Sequence, residues 1–155
     1  MSLPADFRNT IERRAVVAKS EGYPVDDKQV LLGEDEELPC LVGFDEAQSF
    51  RLQYELEQQE AESTDGGRRS LIRRGSGMAT FAPMTGVVFD KAGRMVLPPF
   101  LRDVSGIGGH AFFYGTGRYF DVWSPKRAHE YFGSAGDRRM VRIVEHLCRE
   151  KGVKL

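Results

Sequence analysis

Two cysteines in a chain of 155 residues leave no room for a disulfide framework. Cys40 and Cys148 stand alone, without the paired spacing of a zinc ribbon or finger, and each falls in an apolar stretch that reads as buried, reduced thiol. The three histidines, His110, His129 and His146, have no Cys or carboxylate at ligand spacing, which argues against a metal centre. No apolar run is long enough to cross a bilayer, and no basic-then-apolar export signal opens the chain, so a cytoplasmic location is expected. Catalytic apparatus is also missing from view. There is no G-x-S-x-G, no credible Cys/His pair, and no motif that implies a cofactor. Gly106-Ile107-Gly108-Gly109 has the composition of a phosphate loop but neither the strand before it nor the helix after it.

The charge is nearly balanced, at a formal −1, but it is segregated. Glu34 to Glu37 and Glu55 to Glu62 are acidic, whereas Arg68-Arg69, Arg73-Arg74 and the stretch from Lys126 onward are basic. Such blocks are ordinarily solvated faces. A basic block beside a conformationally special loop can track phosphates, because the field that matters is local.

What is present is an internal repetition. Met1 to Arg8 reads M-S-L-P-A-D-F-R and Met95 to Arg102 reads M-V-L-P-P-F-L-R, with Leu, Pro and Arg matched 94 positions apart. Farther on, Val30-Leu31-Leu32-Gly33 lies on Phe112-Phe113-Tyr114-Gly115, and Leu38 to Leu41 on Phe120 to Trp123, both 82 positions apart. Internal repeats constrain the fold before any single element does. The pattern divides the chain into residues 1–63 and 64–155. The second copy is preceded by Phe89 to Arg94, and the first begins at its own Met1, an alignment that favours a start assigned too late, with an in-frame counterpart upstream, over a shortened chain or a degenerate first repeat.

The elements follow from pattern. Leu3 to Arg14 predicts a short helix with Pro4 in its first turn. Gln29–Leu32 and Leu38–Val42 predict strands. Asp45 caps a helix reaching about Glu62, and Ser63 to Gly67 predicts a linker. Arg68 to Arg74 predicts a basic helix, Ala79–Asp90 and Arg94–Leu97 predict strands, and Phe100 to Val104 predicts a short helix ended by Gly106. A hairpin is expected across Gly115-Thr116-Gly117. Ser124-Pro125 starts one helix, and Asp137 caps another that presents Met140, Ile143, Val144, Leu147 and Cys148 on one face before Gly152 stops it. Trp123 with Phe112, Phe113, Tyr119 and Phe120 alternates along paired strands, which suits core better than a base-stacking platform.

One segment has the makings of a site. In Asp90-Lys91-Ala92-Gly93-Arg94, a carboxylate can hold loop amides, Gly93 permits a positive φ, and Arg94 leaves the turn with a fork suited to a phosphate, a guanine edge or Asp90 itself. Taken alone this is a hairpin with an internal Asp–Arg pair. Arg73 and Arg74 are candidates for added phosphate contacts, and Arg8 and Arg102 read as packing and pairing residues.

The longer run V-F-D-K-A-G-R-M-V-L-P-P-F-L-R-D-V-S-G-I, an apolar hairpin, then D-V-W-S-P-K-R, resembles the MraZ family of bacterial transcriptional regulators, over Val87 to Tyr131 and more weakly over Leu3 to Glu62. The resemblance implies an α+β fold of two AbrB-like repeats forming a swapped-hairpin β-barrel. It implies sequence-specific binding of double-stranded DNA at promoter repeats of the division and cell-wall gene cluster, a ring-like homo-oligomer, and nucleoid association. It places the DNA contact on Asp90, Lys91 and Arg94, with Arg73 and Arg74 beside them. An assembly or protein-interaction module that no longer binds DNA is the alternative. An AbrB-type antitoxin and an enzyme fit less well.

Overall fold

The computed structural model of the chain describes residues 1–62, 81 and 83–155. It is α+β: a five-stranded antiparallel sheet with five helices among the described residues. In chain order these are α1 (Ala5–Ser20), β1 (Gln29–Glu34), β2 (Leu41–Asp45), α2 (Glu46–Glu62), β3 (Thr85–Val88), α3 (Pro99–Ser105), β4 (Phe112–Gly115), β5 (Phe120–Trp123), α4 (Pro125–Ser134) and α5 (Arg138–Glu150). The sheet order is β3-β1-β2-β5-β4. Two hairpins, β1/β2 and β4/β5, therefore lie side by side through β2 and β5, and β3 crosses over from the second half of the chain to pair with β1.

Local chemistry sets most element ends. The Asp45 carboxylate accepts from Gln48 N at 2.8 Å and caps α2. Asp137 does the same for α5, taking Arg139 N at 3.1 Å and Met140 N at 3.0 Å. Gly106 ends α3 with φ of 66°. Three expected strands differ. The strand expected over Leu38–Val42 begins at Leu41, because Asp35 curls the preceding residues onto its carboxylate, with Glu37 N at 2.9 Å and Leu38 N at 2.7 Å. Among the described residues of the strand expected over Ala79–Asp90, only Thr85–Val88 form one. The strand expected over Arg94–Leu97 is reduced to single bridges, Ser2 with Arg94 and Phe89 with Met95. The linker at Ser63 to Gly67 and the basic segment from Arg68 to Arg74 lie outside the described residues.

Helix starts match across the two halves. Helices α1 and α3 begin 94 positions apart, at Ala5 and Pro99, and α2 and α4 begin 79 apart, at Glu46 and Pro125. The strands do not match as the sequence alignment has them. Val30, Leu32 and Leu41 face one cluster, together with Phe120, Val122 and one side of Phe113. Phe112 and Trp123 face a different cluster, formed with α4 and α5. Placing Val30 on Phe112, or Leu41 on Trp123, would put equivalent residues on opposite faces. Facing residues instead align Leu32 with Phe113 and Leu41 with Phe120, offsets of 81 and 79. An odd shift of register reverses every side chain of a strand. At the centre of this arrangement Met95 N donates to Met1 O at 3.0 Å and Met1 N to Met95 O at 3.2 Å, so the matched methionines bond each other reciprocally.

Three clusters hold the molecule together. The largest lies between the sheet, α1 and α3 and is centred on Leu3, Leu32, Leu41, Leu101 and Val122. The second fastens α4 and α5 through Trp123. The third joins α1 to α2 through Ala15, Ala18 and Val25. Two carboxyls are buried among them. Asp45 is paired with Arg14 Nε at 3.2 Å, yet burial holds its carboxyl above the usual range, against the pull of Gln48 N and Arg14. Asp121 is raised as well, by burial first and by the nearby negative Asp35. The Trp123 indole N–H draws it partly back, although that N–H meets no acceptor at hydrogen-bond geometry. Burial first, and then the charges of Asp121 and Asp35, push the Cys40 thiol up to about 12, so it stays protonated and unreactive.

A carboxyl whose pKa is raised on folding binds its proton more tightly in the folded chain. Its stabilising contribution is complete below the ordinary value of 3.8 and is lost as pH climbs through the raised one. Asp121→Asn is therefore expected to raise stability at neutral pH and to flatten the decline between the acidic range and neutrality. Urea melts across that interval would show it, and a profile parallel to the parent's would exclude Asp121 as the source.

Candidate nucleic-acid interface

The segment Asp90 to Arg94 is a turn closed on itself. Asp90 N donates to Arg94 O at 3.0 Å and Gly93 N to Asp90 O at 2.8 Å. One carboxylate oxygen of Asp90 accepts from Ala92 N and Arg94 N, both at 2.9 Å, while the other takes Arg94 Nε at 2.7 Å. The Arg94 side chain and backbone hold the Asp90 carboxyl below its usual range. Asp90 thus organises the turn through both of its carboxylate oxygens.

Arg94 does two things at once. Its Nε fixes Asp90, and its terminal Nη1 and Nη2 have no partner among the described residues. The side chain is 79% exposed. A guanidinium aimed in this way is a steered fork, matched to a phosphate or a guanine edge. Lys91, one step past Asp90, is also exposed. Arg73 and Arg74 lie outside the described residues, so the structure places only Asp90, Lys91 and Arg94 together.

The turn is carried by the other end of the chain. Leu3 N donates to Gly93 O at 2.8 Å, and Ser2 Oγ donates to Ala92 O at 3.3 Å. Gly93 has φ of 81°, and the Arg8 guanidinium from the first turn of α1 lies directly against its Cα. Arg8 is half-buried there and has no acidic partner among the described residues, contrary to the pairing expected from sequence. It also bears on Lys28, whose ammonium bonds Glu12 at 2.5 Å and lies 5.8 Å from the centre of the Phe89 ring. Arg102, which matches Arg8 in the repeat, donates instead to Leu97 O at 3.3 Å. Arg8 is therefore the cation that sequence reasoning missed. The signal was the repeated L-P-x-x-x-R, but its contact is 85 positions away.

Among the described residues no group of three or more His, Cys, Asp or Glu side chains could hold a metal ion, and no helix is long and apolar enough to cross a membrane. No protein-family model matches the chain. It is similar to proteins described as transcriptional regulator MraZ. One, from Coxiella burnetii, is 28% identical over 123 residues, 79% of this chain and 69% of that protein. One from Gluconobacter oxydans is 28% identical over 130 residues, 84% of this chain and 70% of that protein. A shorter match, 44% over 46 residues, covers 30% of this chain and 32% of the protein from Thermomicrobium roseum. Over roughly four-fifths of its length the chain is similar to proteins of the MraZ family. Its MraZ relatives are described as regulators and not as enzymes.

Proposed function

We propose that this MraZ-like chain is a sequence-specific, DNA-binding transcriptional repressor that contacts duplex DNA through Asp90, Lys91 and Arg94, with Arg8 bracing the turn from behind. The observation that carries the reading is the outward fork of Arg94. Its Nε is fixed by Asp90, so the terminal nitrogens reach a groove or phosphate without first having to be ordered. The matched helix starts and the crossing of β3 onto β1 support two AbrB-like repeats in a swapped-hairpin barrel. In this reading the targets are promoter repeats of the division and cell-wall gene cluster. The working form is a ring-like homo-oligomer in the cytoplasm, at the nucleoid, where several turns act together and avidity offsets a weak single contact. Arg73 and Arg74, outside the described residues, are candidates for added phosphate contacts. With a net charge near zero, affinity comes from this local cluster and falls with salt.

Arg94→Ala is expected to cost about 1–3 kcal/mol per site on a promoter fragment and to leave the melting temperature unchanged, because the side chain fills no core space. Arg8→Ala, measured at matched salt, is expected to weaken binding less and to leave the salt slope unchanged, because Arg8 braces the turn and meets no phosphate. Equal affinity of Arg94→Ala and parent would remove this turn from the interface. Failure of the parent to bind any promoter fragment would favour the assembly module.

A further inference from the structure

Helices α1 and α2 meet through small residues. The buried side of α1 narrows to Ala15 and Ala18, packed near Ala47 and Phe50 of α2. Over Ala18 and Ala47 the helices leave a cleft of about 430 Å³, within the range of about 300–1,000 Å³ that suits a small ligand. From α1 it is lined by Arg13, Val17 and Glu21, one helical turn apart, and by Arg14 beside them. From α2 come Phe50, Arg51 and Tyr54. Tyr23 packs on Phe50, with ring centres 5.4 Å apart. Two large apolar side chains stay wet in the cleft: Val17 is 55% exposed and Tyr54 53%.

Three guanidiniums share this lining with one carboxylate, Glu21, a surplus of two positive charges. Like charges gathered on one cleft repel unless an anion joins them. Two of the forks are already aimed. Arg14 Nε pairs with Asp45 at 3.2 Å and its Nη2 donates to Gln48 Oε1 at 3.2 Å, and both partners are buried. Arg13 Nε donates to Asn9 O at 3.2 Å. Arg14 Nη1, the terminal nitrogens of Arg13 and the whole Arg51 guanidinium have no partner among the described residues.

We propose that the cleft between α1 and α2 binds a free nucleoside monophosphate, its phosphate on Arg13, Arg14 and Arg51 and its base against Tyr54 and Val17. A phosphate monoester carries about two negative charges at neutral pH, which balances the surplus on the lining. Its oxygens suit planar guanidinium forks, each able to bind through two nitrogens. The carboxylate of a small aromatic acid would balance only one of the charges. The base brings a flat face that covers Tyr54 and Val17 together, and stacking of this kind accepts any of the common bases. Duplex DNA does not offer such a face, because its bases are already stacked inside the helix. Arg13 and Arg14 are held before the ligand arrives, so little side-chain freedom is lost on binding. No residue of the Asp90 to Arg94 turn lines this cleft, so the inference does not depend on where DNA binds.

The test is a calorimetric titration of the whole chain with the common ribonucleoside 5′-monophosphates, their uncharged nucleosides, inorganic phosphate and benzoate, at matched ionic strength. At least one monophosphate is expected to bind, one per chain, roughly tenfold or more tightly than its nucleoside, phosphate or benzoate. Arg51 and Tyr54 are both exposed, so truncating them opens no core cavity. Arg51→Ala and Tyr54→Ala are each expected to weaken that binding roughly tenfold and to leave the melting temperature unchanged. Arg94→Ala is expected to leave it untouched. Binding of no monophosphate would overturn the proposal. So would equal affinity for inorganic phosphate or for the nucleoside, since either would mean that ring and charge are not read together. Unchanged affinity in Arg51→Ala or in Tyr54→Ala would also overturn it, as would a loss confined to Arg94→Ala, which would assign the nucleotide to the turn. None of these readouts involves DNA, so failure here leaves the regulator reading standing, and the converse also holds.

Discussion

Gly93→Val is expected to destabilise the chain by about 3 kcal/mol and to abolish DNA binding at concentrations where the parent is saturated. Two effects combine. A β-branched residue resists the φ of 81° that the turn requires. A Cβ at this position would also stand 2.6 Å from the Leu3 carbonyl oxygen and overlap the Arg8 guanidinium. Arg8 can swing away, but Leu3 cannot without breaking its own bond to Gly93 O and disturbing a side chain that is 1% exposed. The substitution therefore lifts the amino-terminal segment off the turn, and Arg94 loses its bearing. Denaturant unfolding and a promoter titration on the same preparation would measure both halves. A stability loss under about 1 kcal/mol would mean that the segment from Met1 to Leu3 is not seated on this turn.

Trp123→Ala is expected to cost about 3–5 kcal/mol. The indole is almost wholly buried, with Tyr131 and Phe132 of α4 at ring-centre distances of 5.2 and 5.3 Å. It is the main tie between the sheet and the α4/α5 pair, since the same cluster also holds Met140, Val144 and Cys148. Because Trp123 is the only tryptophan, unfolding must be followed by circular dichroism rather than by its fluorescence. A single transition shifted to much lower denaturant is the expected form. Two separated transitions would instead mean that α4 and α5 are an independent unit, and the indole would then be a local packing residue.

The helix boundaries were the most legible feature because they rest on short-range chemistry. Asp137, Asp45 and the Ser124-Pro125 pair act within four residues of where they stand, and the structure begins α5, α2 and α4 where those signals put them. Helix α1 was under-read. Leu3 to Arg14 was expected, but it runs to Ser20, because its buried side beyond Ile11 consists of Ala15 and Ala18 and apolar weight cannot mark so slight a face. The match between Val30 and Phe112 missed the facing register for a different reason. Both sides of β4 and β5 touch apolar clusters, so their residues do not alternate in polarity, and an apolar run carries no record of which face each residue takes. At the candidate site, Asp90, Gly93 and Arg94 could be read because they make their bonds to one another. Arg8 could not, because the backbone it lies against belongs to the far half of the chain.

The order of strands has a consequence for how the chain is made. During synthesis β1 and β2 can close as a local hairpin, but β3, β4 and β5 are all encoded after α2. Until Trp123 has left the ribosome, β2 lacks β5, and the apolar face carrying Leu32 and Leu41 lacks Phe120 and Val122. Two of the four joins in the sheet, β3 to β1 and β5 to β2, thus wait on contacts between distant parts of the sequence, and such contacts make folding slow relative to helical proteins of similar size. A ribosome stalled before residue 85 would hold out a two-stranded ribbon lacking both β3 and β5, the species most apt to meet a neighbouring nascent chain on a crowded polysome.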